Sequence, residues 1–314
     1  MTASSDFTIE LLDLSKSFGP IQAVDRLRFE VRRGEIFGLV GPDGAGKTTT
    51  LRMLAGILDP DDGTARIAGF DIVEDADALK SRISYMPQRF GLYEDLSVDE
   101  NMDFYADLFG VRRKERRERT DRLLAFSGLA PFRTRLAGKL SGGMKQKLGL
   151  ACALIHTPEV LLLDEPTNGV DPVSRRDFWR ILYSLLESGV TILITTAYLD
   201  EAERANRVGL MHQGRLLVCD RPAAIKSRLK ATVVEVTCSD PRRAHTLLTD
   251  TYGPTGAVLV GGRLHVVVDD PARHMPIIRQ QLESSGITIE AERAVAPTLE
   301  DVFVSVIEEM RAEA

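Results

Sequence analysis

A chain of 314 residues with 44% hydrophobic content has enough apolar mass for a full core, and at about 150 residues per domain it predicts two domains. Its 40 Lys and Arg against 46 Asp and Glu leave a net charge of −6, so it lacks the basic footprint that nucleic acid demands. The longest apolar runs, such as Val160 to Leu163 and Val190 to Ile194, fall far below the roughly 20 residues of a membrane-crossing helix, which argues against direct membrane insertion.

In chain order, Met1 to Glu10 has no basic stretch followed by an apolar run, so no secretory leader is expected. Ile9 to Leu12 and Leu27 to Val31 alternate as strands, and Ile36 to Val40 is a buried strand ending in a glycine loop. A helix is expected from Thr48 to Leu58, stopped by the turn chemistry of Asp59 to Gly63. Ser97 to Ser127 is helical in pattern, and its run Arg112 to Arg119 mixes Arg and Glu within helical reach, as on a solvated face. After Pro158 strands and helices alternate: strands Val160 to Leu163 and Val190 to Thr195, helices Ser174 to Glu187 and Leu199 to Arg204, then strands near Val208 and Leu216. Composition breaks near Arg221-Pro222, and a β-α-β-β-α-β order with a closing helix Leu299 to Met310 follows. Cys152, Cys219 and Cys238 are widely separated without metal-ligand spacing and read as reduced packing residues.

Gly41-Pro42-Asp43-Gly44-Ala45-Gly46-Lys47-Thr48 fits the P-loop pattern of glycine, four residues, glycine, lysine and a hydroxyl, between a strand and a helix. Glycines let the backbone N–H groups face a phosphate, and the helix start adds positive potential. Lys47 is expected to neutralise the β and γ phosphates, Thr48 to hold Mg²⁺, and Thr49 to reach the α phosphate. The strand Leu161-Leu162-Leu163 delivers Asp164 and Glu165 to the sheet's carboxyl edge, Asp164 as a magnesium partner and Glu165 as the base for the attacking water.

What narrows the choice among NTPases is Leu140-Ser141-Gly142-Gly143-Met144-Lys145-Gln146, which resembles the signature motif of ABC transporter nucleotide-binding subunits. Ser141 is also a good cap for a helix to about Ala153. The resemblance covers roughly residues 8 to 225. It implies that Phe18 stacks on adenine, that Gln88 contacts Mg²⁺ and links the site to a transmembrane partner, and that Gly169-Val170-Asp171 signals across a dimer. It further implies head-to-tail pairing, in which one chain's P-loop and the other's Ser141, Gly142, Gly143 and Gln146 enclose ATP. The ending Pro297-Thr298-Leu299-Glu300-Asp301-Val302-Phe303 resembles that of subunits from type-2 exporters of drugs, lipids or polysaccharides.

The expected architecture is α/β. A P-loop NTPase cassette occupies residues 1–225, with a mixed sheet, flanking helices and a helical subdomain at about 90–157. A small α+β ferredoxin-like C-terminal domain occupies residues 226–314. The resemblance implies an ATPase using ATP and Mg²⁺, paired as a homodimer or heterodimer of ATP-binding subunits. Such a subunit is peripheral to the cytoplasmic face of the cell (inner) membrane through a transmembrane permease. One departure stands out: the family's histidine after the strand Thr191 to Thr196 is Ala197, which has no hydrogen-bonding side chain. Ala197 motivates one alternative, a nucleotide-gated subunit with little hydrolysis; the other, independent of it, is a soluble non-transport ABC ATPase. The short span from Lys47 to Ser141 leaves no room for the coiled-coil insertion of the repair proteins.

Overall fold

The computed structural model describes residues 6–253 and 256–313, so residues 1–5 of the leader reading lie outside the described residues. The chain divides into two compact units, Met1–Cys219 and Asp220–Ala314, against an expected division at 225/226.

In the first unit, β1 (Phe7–Phe18) and β2 (Ile21–Arg32) form a long antiparallel hairpin whose turn uses Gly19 at φ 57°. A second sheet is built on β3 (Ile36–Val40). After α1 (Lys47–Leu54), β4 (Asp62–Ile67) and β5 (Phe70–Asp71) extend the hairpin into an antiparallel sheet of order β2-β1-β4-β5. Then come α2 (Ala76–Leu79), β6 (Ile83–Met86), α3 (Val98–Leu108), α4 (Arg113–Phe126), α5 (Gly142–Ala153), β7 (Val160–Asp164), α6 (Pro172–Glu187), β8 (Thr191–Thr196), α7 (Leu199–Ala202), β9 (Arg207–His212) and β10 (Arg215–Asp220). The second sheet has the order β10-β9-β3-β8-β7-β6, with β9, β3, β8, β7 and β6 parallel. Every residue of β3, β7 and β8 is buried, which explains their unbroken apolar runs: strands covered on both faces have no reason to alternate. The mixed-strand α/β architecture stands as expected, its strands divided between two sheets, with Phe29 of β2 stacked on Phe37 of β3 at a ring-centroid distance of 4.9 Å.

Two helix ends differ from expectation for the same reason. The helix expected to reach Leu58 stops at Leu54, because Gly56 turns left-handed and lets Ile57 N–H bond back to the Arg52 carbonyl. Gly110 does the same after α3: Val111 N–H returns to Ala106 O, splitting the expected Ser97 to Ser127 stretch in two. The start of α3 is fixed by a capping box in which Ser97 Oγ accepts from Glu100 N–H and Glu100 Oε2 accepts from Ser97 N–H. The charged run on α4 is partly tied down, with Arg116 paired to Asp107 of α3 and Arg119 to Glu115.

The second unit holds α8 (Pro222–Lys226), β11 (Thr232–Cys238), α9 (Pro241–Tyr252), β12 (Ala257–Val260), β13 (Arg263–Val268), α10 (Pro271–Ser284), β14 (Ile289–Val295) and α11 (Leu299–Glu313). Its sheet order is β12-β13-β11-β14 with every pair antiparallel, the ferredoxin-like arrangement. Val234, Val236 and Cys238 of β11 pack with Ala244 and Leu248 of α9 and Ile278 and Leu282 of α10. His265 points from the opposite face of β13, where its Nδ1 lies 3.1 Å from both oxygens of Asp301 of α11. Asp301 is buried and also accepts from Thr298 N–H (2.7 Å) and Thr298 Oγ1 (2.8 Å), closing the start of α11.

Replacing Asp301 by Ala orphans His265 Nδ1 and the Thr298 amide, at about 1–3 kcal/mol for each buried group left unpaired. Hydrogen exchange in α11 of the Asp301→Ala chain is therefore expected to be faster than wild type; equal protection would contradict this account of the tail motif.

Candidate functional site

Between β3 and α1 the chain turns through residues 41–46, and glycines occur where the backbone leaves no alternative. A Cβ on Gly41 would sit 2.1 Å from the Met211 carbonyl oxygen, and one on Gly46, at φ 104°, would sit 2.3 Å from the Ala23 carbonyl oxygen. Gly44 also has a left-handed φ of 78° but faces open space. Gly46 caps α1 without a side-chain bond, so the first amides of the helix are left to a ligand.

Lys47 is 4% exposed, and its three N–H donors meet three acceptors: Gly41 O at 2.7 Å, Pro42 O at 3.1 Å and Glu165 Oε1 at 3.0 Å. Glu165 Oε2 accepts from Gln88 Nε2 (3.2 Å) and Asn168 Nδ2 (3.3 Å). Its backbone is left-handed at φ 45°, a conformation costing about 1–3 kcal/mol in a non-glycine residue unless surroundings enforce it. The enforcement is local: Glu165 N–H donates to Thr195 Oγ1 at 3.0 Å, and Asn168 N–H donates to the Glu165 carbonyl at 3.1 Å.

Asp164, 1% exposed, ends β7 and accepts at Oδ1 from Thr48 Oγ1 (3.0 Å) and Thr195 Oγ1 (2.9 Å). Tyr85 of β6 donates to Oδ2 at 3.3 Å. Burial, and next the Asp164 charge, pushes the Tyr85 phenol up to about 12, so it stays a proton donor across the neutral range. Thr48 and Asp164 offer hard oxygen donors 3.0 Å apart, and Thr48 shares its pocket with the Gln88 amide. That sparse set fits magnesium, which keeps water and substrate phosphate among its ligands. Among the described residues no cluster of three or more His, Cys, Asp or Glu side chains forms a self-sufficient metal cage.

Phe18, Asp43, Gly44, Ala45, Gly46, Lys47, Thr48, Thr49, Gln88 and Glu165 line one pocket of about 480 Å³, within the range of small-molecule sites. Phe18 is half exposed at the tip of the hairpin, opposite Ile21, itself 66% exposed, and the pair makes an apolar lip. Ser141, Gly142, Gly143, Gln146 and Asp171 do not line this pocket; Ser141, Gly142 and Gly143 sit at the start of α5, Gln146 one turn further along it, and Asp171 at the start of α6. Ser141 Oγ accepts from Met144 N–H at 3.3 Å, the cap expected from sequence. Asp171 accepts from the amides of Val173 and Ser174, both at 3.0 Å; the Ser174 hydroxyl and then these amides hold its carboxyl below the usual range. Gly143 has an internal reason as well, since a Cβ there would lie 2.4 Å from Ser174 Oγ.

Sequence reasoning missed Thr195, Tyr85, Asn168 and Ile21. The one available signal was a pair of hydroxyls, Thr195 and Thr196, closing the buried strand after the apolar run Ile192 to Ile194.

The glycine geometry predicts an ordering. Gly44→Ala is expected to lose about 1–2 kcal/mol for its left-handed backbone, whereas Gly41→Ala, blocked by a carbonyl, is expected to lose more stability and nucleotide affinity. Thermal unfolding with and without nucleotide tests this; equal shifts for the two variants would contradict it.

A family model described as "ABC transporter" matches residues 24–168. The probable multidrug ABC transporter ATP-binding protein YbhF of Escherichia coli (strain K12) is 53% identical over 223 residues, covering 70% of this chain but only 39% of that protein. The Nod factor export ATP-binding protein I of Sinorhizobium fredii is 38% identical over 307 residues, covering 96% of this chain and 86% of that one. The daunorubicin/doxorubicin resistance ATP-binding protein DrrA of Streptomyces peucetius is 35% identical over 306 residues, covering 95% and 91%. Among solved structures, cbiO1 from Clostridium perfringens, part of the ABC transporter complex cbiONQ, superposes with a TM-score of 0.66 at 26% identity, covering 71% of this chain and 92% of that one.

Proposed function

The chain belongs to the ATP-binding proteins of ABC transporters, and from that premise we propose that it binds and hydrolyses magnesium ATP to power export through a separate transmembrane permease. The observation that carries the reading is the meeting, in one pocket, of the Phe18 lip, the P-loop, Lys47, Gln88 and Glu165. In the free chain Lys47 is neutralised by Glu165. An arriving triphosphate competes for the ammonium, and the released carboxylate takes the proton of the attacking water. Bound magnesium, held by Thr48 and Asp164 beside Gln88, would supply charge neutralisation at the β and γ phosphates. Lys47 then compensates the charge that builds on the phosphate oxygens while the P-loop amides hold them.

The Ser141 and Asp171 helix starts lie outside the pocket, which supports a half-site reading. A second copy, or a related ATP-binding chain, supplies its own Ser141, Gly142, Gly143 and Gln146 to complete the enclosure. No helix among the described residues is long and apolar enough to cross a membrane; under the proposed function a separate permease chain lies beside this one, at the cytoplasmic face of the membrane. The export direction rests on the relatives named for multidrug transport, Nod factor export and daunorubicin resistance, two of which match nearly the whole length of this chain. A second reading, a nucleotide-gated subunit with little turnover, is favoured by Ala197 alone.

Phosphate release by the purified chain is expected to exceed that of Lys47→Ala. Glu165→Gln is expected to lose about 10²-fold or more in rate while still binding ATP, and Ala197→His to raise turnover. A wild-type rate equal to the Lys47→Ala blank would defeat hydrolysis and leave the nucleotide-gated reading standing.

A further inference from the structure

We propose that Glu201 is a positioning residue for hydrolysis: a buried carboxylate that ties together the segment after the base Glu165, the end of β8 and the first turn of α6. The inference rests on the reading that Glu165 is the base for ATP hydrolysis.

Glu201 lies on α7 and is 1% exposed. A carboxylate so buried must be met by donors on every side. Thr167 Oγ1 lies 2.8 Å from each of its oxygens, Thr196 Oγ1 donates to Oε2 at 3.1 Å, and Arg175 adds the opposite charge as an ion pair, Nε 2.9 Å from Oε1 without hydrogen-bond alignment. These partners come from a turn, a strand and a helix. Thr167 is two residues beyond Glu165 and also buried; Thr196 ends β8; Arg175 is in the first turn of α6.

Each attachment bears on the base. Asn168, next to the anchored Thr167, donates both its backbone and its side-chain amide to Glu165. Thr195, next to the anchored Thr196, accepts the Glu165 amide and donates to Asp164. Glu201 thus fixes both neighbours that hold Glu165 in its left-handed conformation. Such a brace matters more in a chain with alanine at position 197, where no side chain can help orient the base. Arg175 extends the brace to α6, whose cap is Asp171, so displacement of that helix start is passed to the base through one carboxylate.

The test uses the full chain with Glu201→Ala, Glu201→Gln and Thr167→Val. Glu201→Ala is expected to lower kcat about tenfold, as a misplaced reacting group does, with KM for ATP within twofold of wild type. Glu201→Gln, which keeps an acceptor for the threonines and loses the charge facing Arg175, is expected to fall between the two. Thr167→Val is expected to match Glu201→Ala, with no further loss when the two are combined. Hydrogen exchange over residues 165–170 is expected to quicken in Glu201→Ala. Unchanged kcat, unchanged exchange, or a rate loss matched by a rise in the unfolded fraction would each overturn the proposal. If Glu201→Ala does not fold, Thr167→Val decides by the same readouts. If wild type only equals the Lys47→Ala blank, the hydrolysis reading falls, and exchange over 165–170 alone decides whether Glu201 positions the segment.

Discussion

A buried ammonium cannot stand without acceptors, and the site is organised around meeting that requirement at Lys47. Two acceptors are backbone carbonyls of its own loop, which forces the loop to curl over the lysine. The third is Glu165, brought from the end of a different strand. The parallel pairing of β3, β8 and β7 is what makes this meeting geometric rather than fortuitous, since all three strands end on the same edge. In the free chain Lys47 and Glu165 therefore neutralise each other, and under the proposed function an arriving triphosphate separates them.

Around that pair runs a set of threonine hydroxyls, buried at Thr167, Thr195 and Thr196 and half-buried at Thr48. Thr48, Thr195, Thr196 and Thr167 each join a backbone segment to a carboxylate, at Asp164 or at Glu201. Threonine suits the task because its branched carbon belongs in a packed strand while its hydroxyl spans the remaining distance to an acid. The carboxylates are thereby fixed by short, stiff side chains on sheet and helix ends, the kind of support that holds reacting groups to a fraction of an ångström.

Much of this was legible in the residues. The glycine, lysine and hydroxyl of the loop announced a phosphate cradle, and the apolar strand before Asp164 and Glu165 put two acids at a sheet edge. Less legible was anything that depends on long-range register. The first unit's separate antiparallel sheet came from a hairpin and β4, whose neighbours are set by pairing rather than by local pattern. The helix end at Leu54 came one turn earlier than the apolar pattern suggested and the one at Leu108 fell inside a stretch read as continuous, each followed by a left-handed glycine. Glu201 was invisible because a glutamate in a short helix looks like a solvated charge; only the fold reveals that it is enclosed. Gly143 was read as part of the signature motif, and the structure adds a packing reason in the close approach of Ser174.

The account's central claim is that this pocket is one half of a nucleotide enclosure, completed by the signature helix of another chain. The most direct measurement is a structure of the Glu165→Gln chain with magnesium ATP in a closed dimer. The account predicts Ser141 of the partner subunit within hydrogen-bond distance of the terminal phosphate, across from Lys47. A closed dimer with that serine far from the phosphate would contradict it.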